Sequence, residues 1–268
     1  MLGASKIAYG ALIEYVDGNK SLHSFDNAQS ILLLADAISE NKTLVNTLTD
    51  SGISPEARAG IAKDVLTKIG NPDSVSLIAQ AVAMRWSETD DLIQSLEASG
   101  ARAAFAAAEL TNELDRVEDE IFAFERAIAA SGELELLLAN PNMTQKARAS
   151  FIEDLVGKQF LASSILLIVH TLGHRHDHSI TSSLNDLQKL AAARRGRVLA
   201  EVTAAIALSD EQKSRLEKAL TAIYSKSVEV QVVIDRKVIG GVSVRVGDEV
   251  IDGTITSRLA QVKRQLAG

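Results

Sequence analysis

The chain has 268 residues, 46% apolar and 24% charged, with a formal net charge of −7 and a pI near 5.3. That length fills one large core or two modest ones, the apolar share excludes global disorder, and the acidic charge argues against nucleic acid as a partner. Cysteine is absent, which excludes disulfides, thiolate metal sites and cysteine nucleophiles. Aromatic residues make up only 4%, and abundant alanine and leucine point to closely packed helices. No apolar run approaches the roughly 18 to 20 residues of a membrane span. Gly10 and Glu14 interrupt the stretch after Lys6, so no signal peptide is expected. The chain reads as soluble and cytoplasmic, reaching a membrane only through partners.

In chain order, Ser5 to Val16 fits a short helix with Ile7, Ala8, Ala11, Leu12 and Tyr15 on one side. Successive helices follow from Phe25. Ile31, Leu34, Ala35 and Ile38 form one stripe, and Leu44 to Leu48 is short. Ser54 caps a helix with Pro55 at its first position, running through Ile61, Val65, Leu66 and Ile69 to a stop at Gly70-Asn71-Pro72. Val75 to Trp86 and Asp90 to about Ala98 come next. A long helix is predicted from Ala101 to Ala130, with Leu110, Leu114, Val117, Ile121, Phe124 and Ile128 along a core-facing seam.

The chain then repeats itself. Sliding the sequence by 90 residues without a gap pairs Ile31 with Ile121, Ala37-Ile38 with Ala127-Ile128, Leu44 with Leu134 and Leu48 with Leu138. It also pairs Ala57-Arg58-Ala59 with Ala147-Arg148-Ala149, Asp64 with Asp154, Leu77-Ile78 with Leu167-Ile168 and Arg85 with Arg175. With Lys68/Lys158 and Ser74/Ser164 the identities number 14 over 55 positions, which reads as an internal duplication.

Arg194-Arg195-Gly196-Arg197 marks a change of regime. Val198, Ala200, Val202, Ala204, Ile206 and Leu208 alternate as a strand, and Ser209 with Gln212 makes a capping box for a helix through Leu216, Leu220 and Ile223. Val228, Val230, Val232 and Ile234 mark a second strand and Val242, Val244 and Val246 a third. Gly240 and Gly241 precede the third, where a bulge or bend favours residues without Cβ. Gly247-Asp248 and Asp252-Gly253 are turn signals around a short return, Val250-Ile251. Ile255, Leu259, Val262 and Leu266 line one face of a closing helix. The expected fold is mostly α with a small α+β C-terminal unit. It comprises a first helical bundle (1–100), a linking long helix with a second, related bundle (101–193), and a strand-helix-strand-strand-helix domain (194–268).

Candidate chemistry is sparse. Four of the five histidines, His170, His174, His176 and His178, fall within nine residues. His170 and His174 are one helical turn apart and can share a metal; the alternative is a solvated helix end with Asp177 as the only local carboxylate. Gly240-Gly241 followed by Gly247 lacks dinucleotide spacing, and Gly157-Lys158 lacks the upstream glycine of a phosphate loop. Asp248 and Asp252 sit in turns, where Asp bonds its own backbone. No catalytic, cofactor-binding or metal residue is assigned. Arg194, Arg195 and Arg197 suit either an acidic partner or a solvated linker, and Trp86 either a core or an interface.

The uninterrupted run from Val238 to Leu259, with Gly240, Gly241, Gly247, Asp248, Asp252, Gly253 and Leu259, resembles the C-terminal signature of the delta subunit of F-type ATP synthases. Mitochondria call this subunit the oligomycin sensitivity-conferring protein. Thr254 stands where the family more often has Ser. Tyr9, Ala11 and Leu12 are similar to the family's first helix, with Gly10 in place of an alanine. The extra bundle, Arg85-Trp86-Ser87 and Val117-Glu118-Asp119-Glu120 with Phe122 and Phe124 resemble the longer delta subunits of actinobacteria.

The resemblance implies a non-catalytic stator subunit, without cofactor, that ties the catalytic head to the b-type peripheral stalk on the cytoplasmic face of the bacterial plasma membrane. Its partners would be the alpha subunits, with the beta subunits beside them, and the stalk. The family grips an alpha-subunit N-terminal helix between its first and fifth helices. Carried over, that groove is Ile7, Ala11 and Leu12 with Leu77, Ala81 and Arg85, and the second-copy face is Leu167, Thr171 and Arg175. Ile255, Leu259, Val262 and Leu266 would receive the stalk. The competing readings are a histidine-metal-dependent hydrolase and a helical adaptor unrelated to the synthase.

Overall fold

Side-chain caps set many of the helix starts. Ser24, Asn41, Ser54, Ser131 and Thr144 each accept a hydrogen bond from the backbone N–H three residues on, at 3.0–3.3 Å. The computed structural model describes residues 1, 3–140, 142–157, 159–174, 179–194, 197–224, 227–236, 238, 240–246 and 249–252. The chain divides into two units, Met1–Ala191 and Ala192–Gly268.

The first unit is helical. Its elements are α1 (Ala4–Gly18), α2 (Phe25–Ser39), α3 (Lys42–Thr49), α4 (Pro55–Leu66), α5 (Pro72–Ala83) and α6 (Thr89–Leu110). They are followed by α7 (Leu114–Ala130), α8 (Gly132–Ala139), α9 (Gln145–Val156), α10 (Ala162–Gly173) and α11 (Ile180–Arg194). The bounds of α3, α4 and α5 recur in α8, α9 and α10 at the same offset of 90 residues that the sequence shows. One contiguous apolar cluster, from Ala8 to Ala191, runs through both sets of helices.

Equivalent positions also make equivalent bonds. Neither α5 nor α10 has a side-chain cap of its own. The Asn71 N–H at the start of α5 donates to Ser30 Oγ at 2.9 Å, and the Leu161 N–H at the start of α10 donates to Glu120 Oε2 at 2.8 Å. Ser74 and Ser164, both fully buried, donate to Asn27 Oδ1 at 3.1 Å and to Glu120 Oε2 at 2.6 Å. In each half a helix N-terminus is thus satisfied by the neighbouring long helix.

Two expectations for the helices are corrected. The predicted long helix from Ala101 to Ala130 is two helices. α6 continues unbroken through Ser99-Gly100, and the break falls at Thr111–Glu113, where Asn112 takes φ 58°. Gly100 does not end the helix because it answers to packing: a Cβ there would come within 2.4 Å of Leu32 Cδ2. Asn112 supplies the turn because its short polar side chain tolerates the left-handed region. Leu110, at the break, is 65% exposed, whereas Leu114, Val117, Ile121, Phe124 and Ile128 are buried as expected. Likewise the helix from Pro55 stops at Leu66, leaving Ile69 in the turn and half exposed.

The second unit holds β1 (Arg197–Ala204), α12 (Asp210–Tyr224), β2 (Ser227–Ile234), β3 (Val242–Val246) and β4 (Glu249–Asp252). The sheet order is β2-β1-β3-β4, with β1 parallel to β2 and the other pairs antiparallel. Ala200 lies opposite Val230 and Val246, and Val202 opposite Val232 and Val244, which puts apolar residues on one face. With Leu220 of α12 they form a small second core. Ser209 and Gln212 make the expected capping box, each backbone N–H donating to the other's side chain, at 2.9 and 3.3 Å. The first strand is shorter than predicted: Ile206 is 76% exposed beyond its end. Gly240 and Gly241 both take positive φ, 63° and 79°, which explains glycine at the bend before β3. The turn at Gly247 and Asp248, residue Gly253, and the predicted closing helix with Ile255, Leu259, Val262 and Leu266 lie outside the described residues.

Candidate functional site

The two faces carried over from the resemblance differ in the structure. At the α1–α5 seam Leu12, Leu77 and Ala81 are fully buried in the first unit's own core, while Ile7 is 78% exposed and Ala11 and Arg85 face solvent. These six residues do not form one open apolar groove. Trp86, the sole tryptophan, is a core residue: it is 8% exposed, and its indole N–H donates to the Ala81 carbonyl at 2.8 Å.

The α10 face is different. Leu167 and Thr171 line a half-open cavity of about 190 Å³, walled by α6 (Gln94, Glu97, Ala98, Ala101), α11 (Ser183, Asp186, Leu187, Leu190) and Leu32 of α2. Arg175 lies outside the described residues. The cavity floor is apolar and its edge polar, the usual make-up of a site that takes an apolar side chain from a partner. A cavity of roughly 150 Å³ takes benzene, so this volume suits one aromatic or branched anchor rather than a whole helix.

Two further residues of that wall are His170 and His174. Sequence reasoning paired them but missed the third member of the cluster, Asp36 of α2. Asp36 Oδ1 lies 3.0 Å from His170 Nε2 and 3.4 Å from His174 Nε2. The two imidazoles stack, with centroids 4.7 Å apart, and Gln145 Nε2 donates to Asp36 Oδ2 at 3.3 Å. Burial alone pushes the Asp36 carboxyl up, but the hydrogen bond to His170, the charges of both histidines and the Gln145 bond outweigh it and hold it below its ordinary value. His176 and His178 lie outside the described residues.

Two ion pairs, each with one buried member, tie helices of the first unit together. Arg102 of α6 is 7% exposed; it grips Asp17 of α1 through two bonds of 2.7 Å and donates to the Leu190 carbonyl of α11 at 3.2 Å. Glu120, on α7, takes Arg116 Nε at 2.8 Å in addition to its two bonds at the start of α10.

A helical unit with one continuous core and a second unit with a small mixed sheet define a mostly α protein with a small α+β C-terminal unit. A family model for the ATP synthase delta (OSCP) subunit matches residues 96–266. ATP synthase subunit delta of Streptomyces griseus is 34% identical over the full length of both chains. The same subunit of Streptomyces coelicolor is 36% identical, over 100% of this chain and 98% of that one. That of Beutenbergia cavernae is 35% identical over 91% and 90%. A chain of the Toxoplasma gondii mitochondrial ATP synthase hexamer aligns at 18% identity and a TM-score of 0.37, over 63% of this chain and 95% of that one, a likeness too slight to carry an argument.

This chain belongs to the ATP synthase delta (OSCP) subunit family. It is a structural subunit of the synthase's peripheral stalk and not a catalytic one. Neither the hydrolase nor the unrelated-adaptor reading is favoured by these relationships. No helix among the described residues is long and apolar enough to cross a membrane, in keeping with peripheral association with the complex. The family match begins inside α6, while the Streptomyces relatives also span residues 1–95.

Proposed function

We propose that the chain is the stator link that ties the alpha-subunit N-termini of the catalytic head to the b-type stalk, so that the head resists the torque of the rotor during proton-driven ATP synthesis. The link works on the cytoplasmic face of the bacterial plasma membrane. Its α1–α5 and α6–α10 faces belong to two related bundles that share α6, and the second bundle grips the alpha subunit. The observation that carries this choice is the contrast between the two faces. The α1–α5 seam is closed by Leu12, Leu77 and Ala81, whereas the α6–α10 face keeps the 190 Å³ cavity beside Leu167 and Thr171. An amphipathic helix from the partner lies along that face and drops an apolar anchor into the cavity. The stalk is received by the C-terminal segment that contains Ile255, Leu259, Val262 and Leu266. Holding under load calls for nanomolar affinity or tighter, about 12 kcal/mol, shared between these contacts.

The test is a titration of the full chain with a fluorescent peptide of the alpha-subunit N-terminus. Thr171→Arg is expected to weaken binding at least tenfold, and Ile7→Asp on the first bundle to leave it unchanged. If Ile7→Asp weakens binding and Thr171→Arg does not, the first bundle is the gripping copy. A peptide that fails to bind the intact chain removes the head-binding role.

A further inference from the structure

We propose that Asp36, His170 and His174 form a binding site for one zinc-class divalent ion, which clasps α2 to α10. The inference concerns the chain itself and does not depend on which bundle grips the head.

Two of the three donor pairs already stand close to the edge length of a zinc tetrahedron. Zinc binds nitrogen and oxygen at about 2.0–2.2 Å, so neighbouring ligand atoms in a tetrahedral site are roughly 3.3 Å apart. Asp36 Oδ1 lies 3.0 Å from His170 Nε2 and 3.4 Å from His174 Nε2, and all three donors fall within 4.8 Å of one another. His170 and His174 reach the same point because residues four apart lie one above the other on a helix, the spacing that zinc-binding helices use.

The hydrogen-bond pattern fixes which ring nitrogen of His174 faces Asp36. His174 Nδ1 faces the His170 carbonyl oxygen at 3.3 Å. A carbonyl only accepts, so Nδ1 carries the hydrogen, and Nε2 is the ring atom left facing Asp36 Oδ1. At 3.4 Å the two atoms are joined either by a proton on Nε2 or by a cation that both bind. Protons join the carboxylate to each imidazole separately, whereas one divalent ion takes both imidazoles and the carboxylate together. The surrounding groups hold the ligands as they do in zinc sites: the His170 carbonyl fixes the His174 tautomer, and Gln145 Nε2 occupies Asp36 Oδ2, leaving Oδ1 for the ion.

Both histidines also line the half-open cavity, which gives the ion an entry path and room for water as fourth ligand. The role is structural, since the ligands come from α2 on one side and α10, 134 residues further along, on the other.

The experiment uses the full chain, with any affinity tag removed and the protein freed of metal by a chelator, titrated with zinc chloride by calorimetry at pH 7.5. One zinc per chain is expected to bind with a dissociation constant in the micromolar range or below, and to raise the melting temperature by several degrees. Asp36→Asn and His170→Gln are each expected to weaken binding at least a hundredfold, and Gln145→Leu about tenfold. The double variant His176→Gln/His178→Gln should bind like the wild type. No zinc uptake at 100-fold excess overturns the proposal, leaving a proton as the cation. So does wild-type affinity in Asp36→Asn, or loss of binding in the double variant alone. Should the ligand variants misfold, cobalt substitution of the wild type decides. An intense four-coordinate visible spectrum supports the site, and a weak six-coordinate one overturns it.

Discussion

Replacing Glu120 by alanine tests whether a carboxylate borrowed from α7 is what starts α10. Glu120 is 7% exposed; its Oε2 accepts from the Leu161 N–H at 2.8 Å and the fully buried Ser164 hydroxyl at 2.6 Å, and its Oε1 takes Arg116 at 2.8 Å. Arg116 is well exposed and returns to water at little cost, so the loss comes from the α10 end. A hydrogen bond to a charged group contributes about 1.5–3 kcal/mol, and a buried donor left unsatisfied costs about 1–3 kcal/mol. Because Leu161 is only half-buried and the Ser164 hydroxyl can rotate, the two effects overlap, and a net loss of about 3 kcal/mol is expected. The counterpart in the first half is Ser30→Ala, which removes one neutral bond from the Asn71 N–H and should cost about 1 kcal/mol. Urea unfolding followed by far-UV circular dichroism gives both values, with Glu120→Gln between them. Losses that are equal for Glu120→Ala and Ser30→Ala, or a Glu120→Ala loss under 1 kcal/mol, would refute the assignment of the carboxylate as the start of α10.

Three other outcomes are expected. Gly100→Ala gains up to about 1 kcal/mol in helix propensity, but its Cβ meets Leu32 Cδ2 at 2.4 Å and Cγ at 2.6 Å, and overpacking of about 1–3 kcal/mol makes the variant less stable by thermal melting. Arg102→Lys keeps the charge but cannot hold Asp17 with two nitrogens and reach the Leu190 carbonyl as well, and should lose about 2 kcal/mol in urea unfolding. Burial raises the Tyr9 phenol above 10, against the opposing charge of Arg102. The folded-state value being the higher one, the stability this group confers is full below pH 10 and disappears as pH rises through its folded pKa. Ultraviolet titration of phenolate in a Tyr224→Phe background, which removes the phenol raised by its bond to Glu249, should show a late step that Tyr9→Phe removes; a Tyr9 that ionises with free tyrosine contradicts its burial.

Features set by neighbouring residues were legible in the sequence. The Ser209–Gln212 box, the Ser54-Pro55 start and the alternating valines of β2 and β3 depend on contacts a few residues apart. The mistakes share a different cause. Ser99-Gly100 has the composition of a break, yet Gly100 is there so that Leu32 can approach, a fact about α2 that no window around residue 100 contains. The real break at Asn112 lacks Gly and Pro because asparagine tolerates positive φ unaided. For the candidate site, the i,i+4 pair His170 and His174 was legible, but Asp36 joins it only through the packing of α2 on α10. The closure of the α1–α5 seam was likewise invisible, since Leu12 and Leu77 carry the same apolar character whether they face a partner or their own core.

Helix α6 carries a consequence for load. Its 22 residues run about 33 Å without a break, packed against α1 and α2 on one side while Gln94, Glu97, Ala98 and Ala101 face α10 and α11 across the cavity. Two modules joined by a flexible connector would swivel before transmitting a pull. Here the joint is a continuous hydrogen-bonded rod that both sets of helices touch, so relative rotation of the halves must bend the rod or tear apolar contacts from it. Compliance in a subunit of this kind then belongs to whatever lies on either side of the rod.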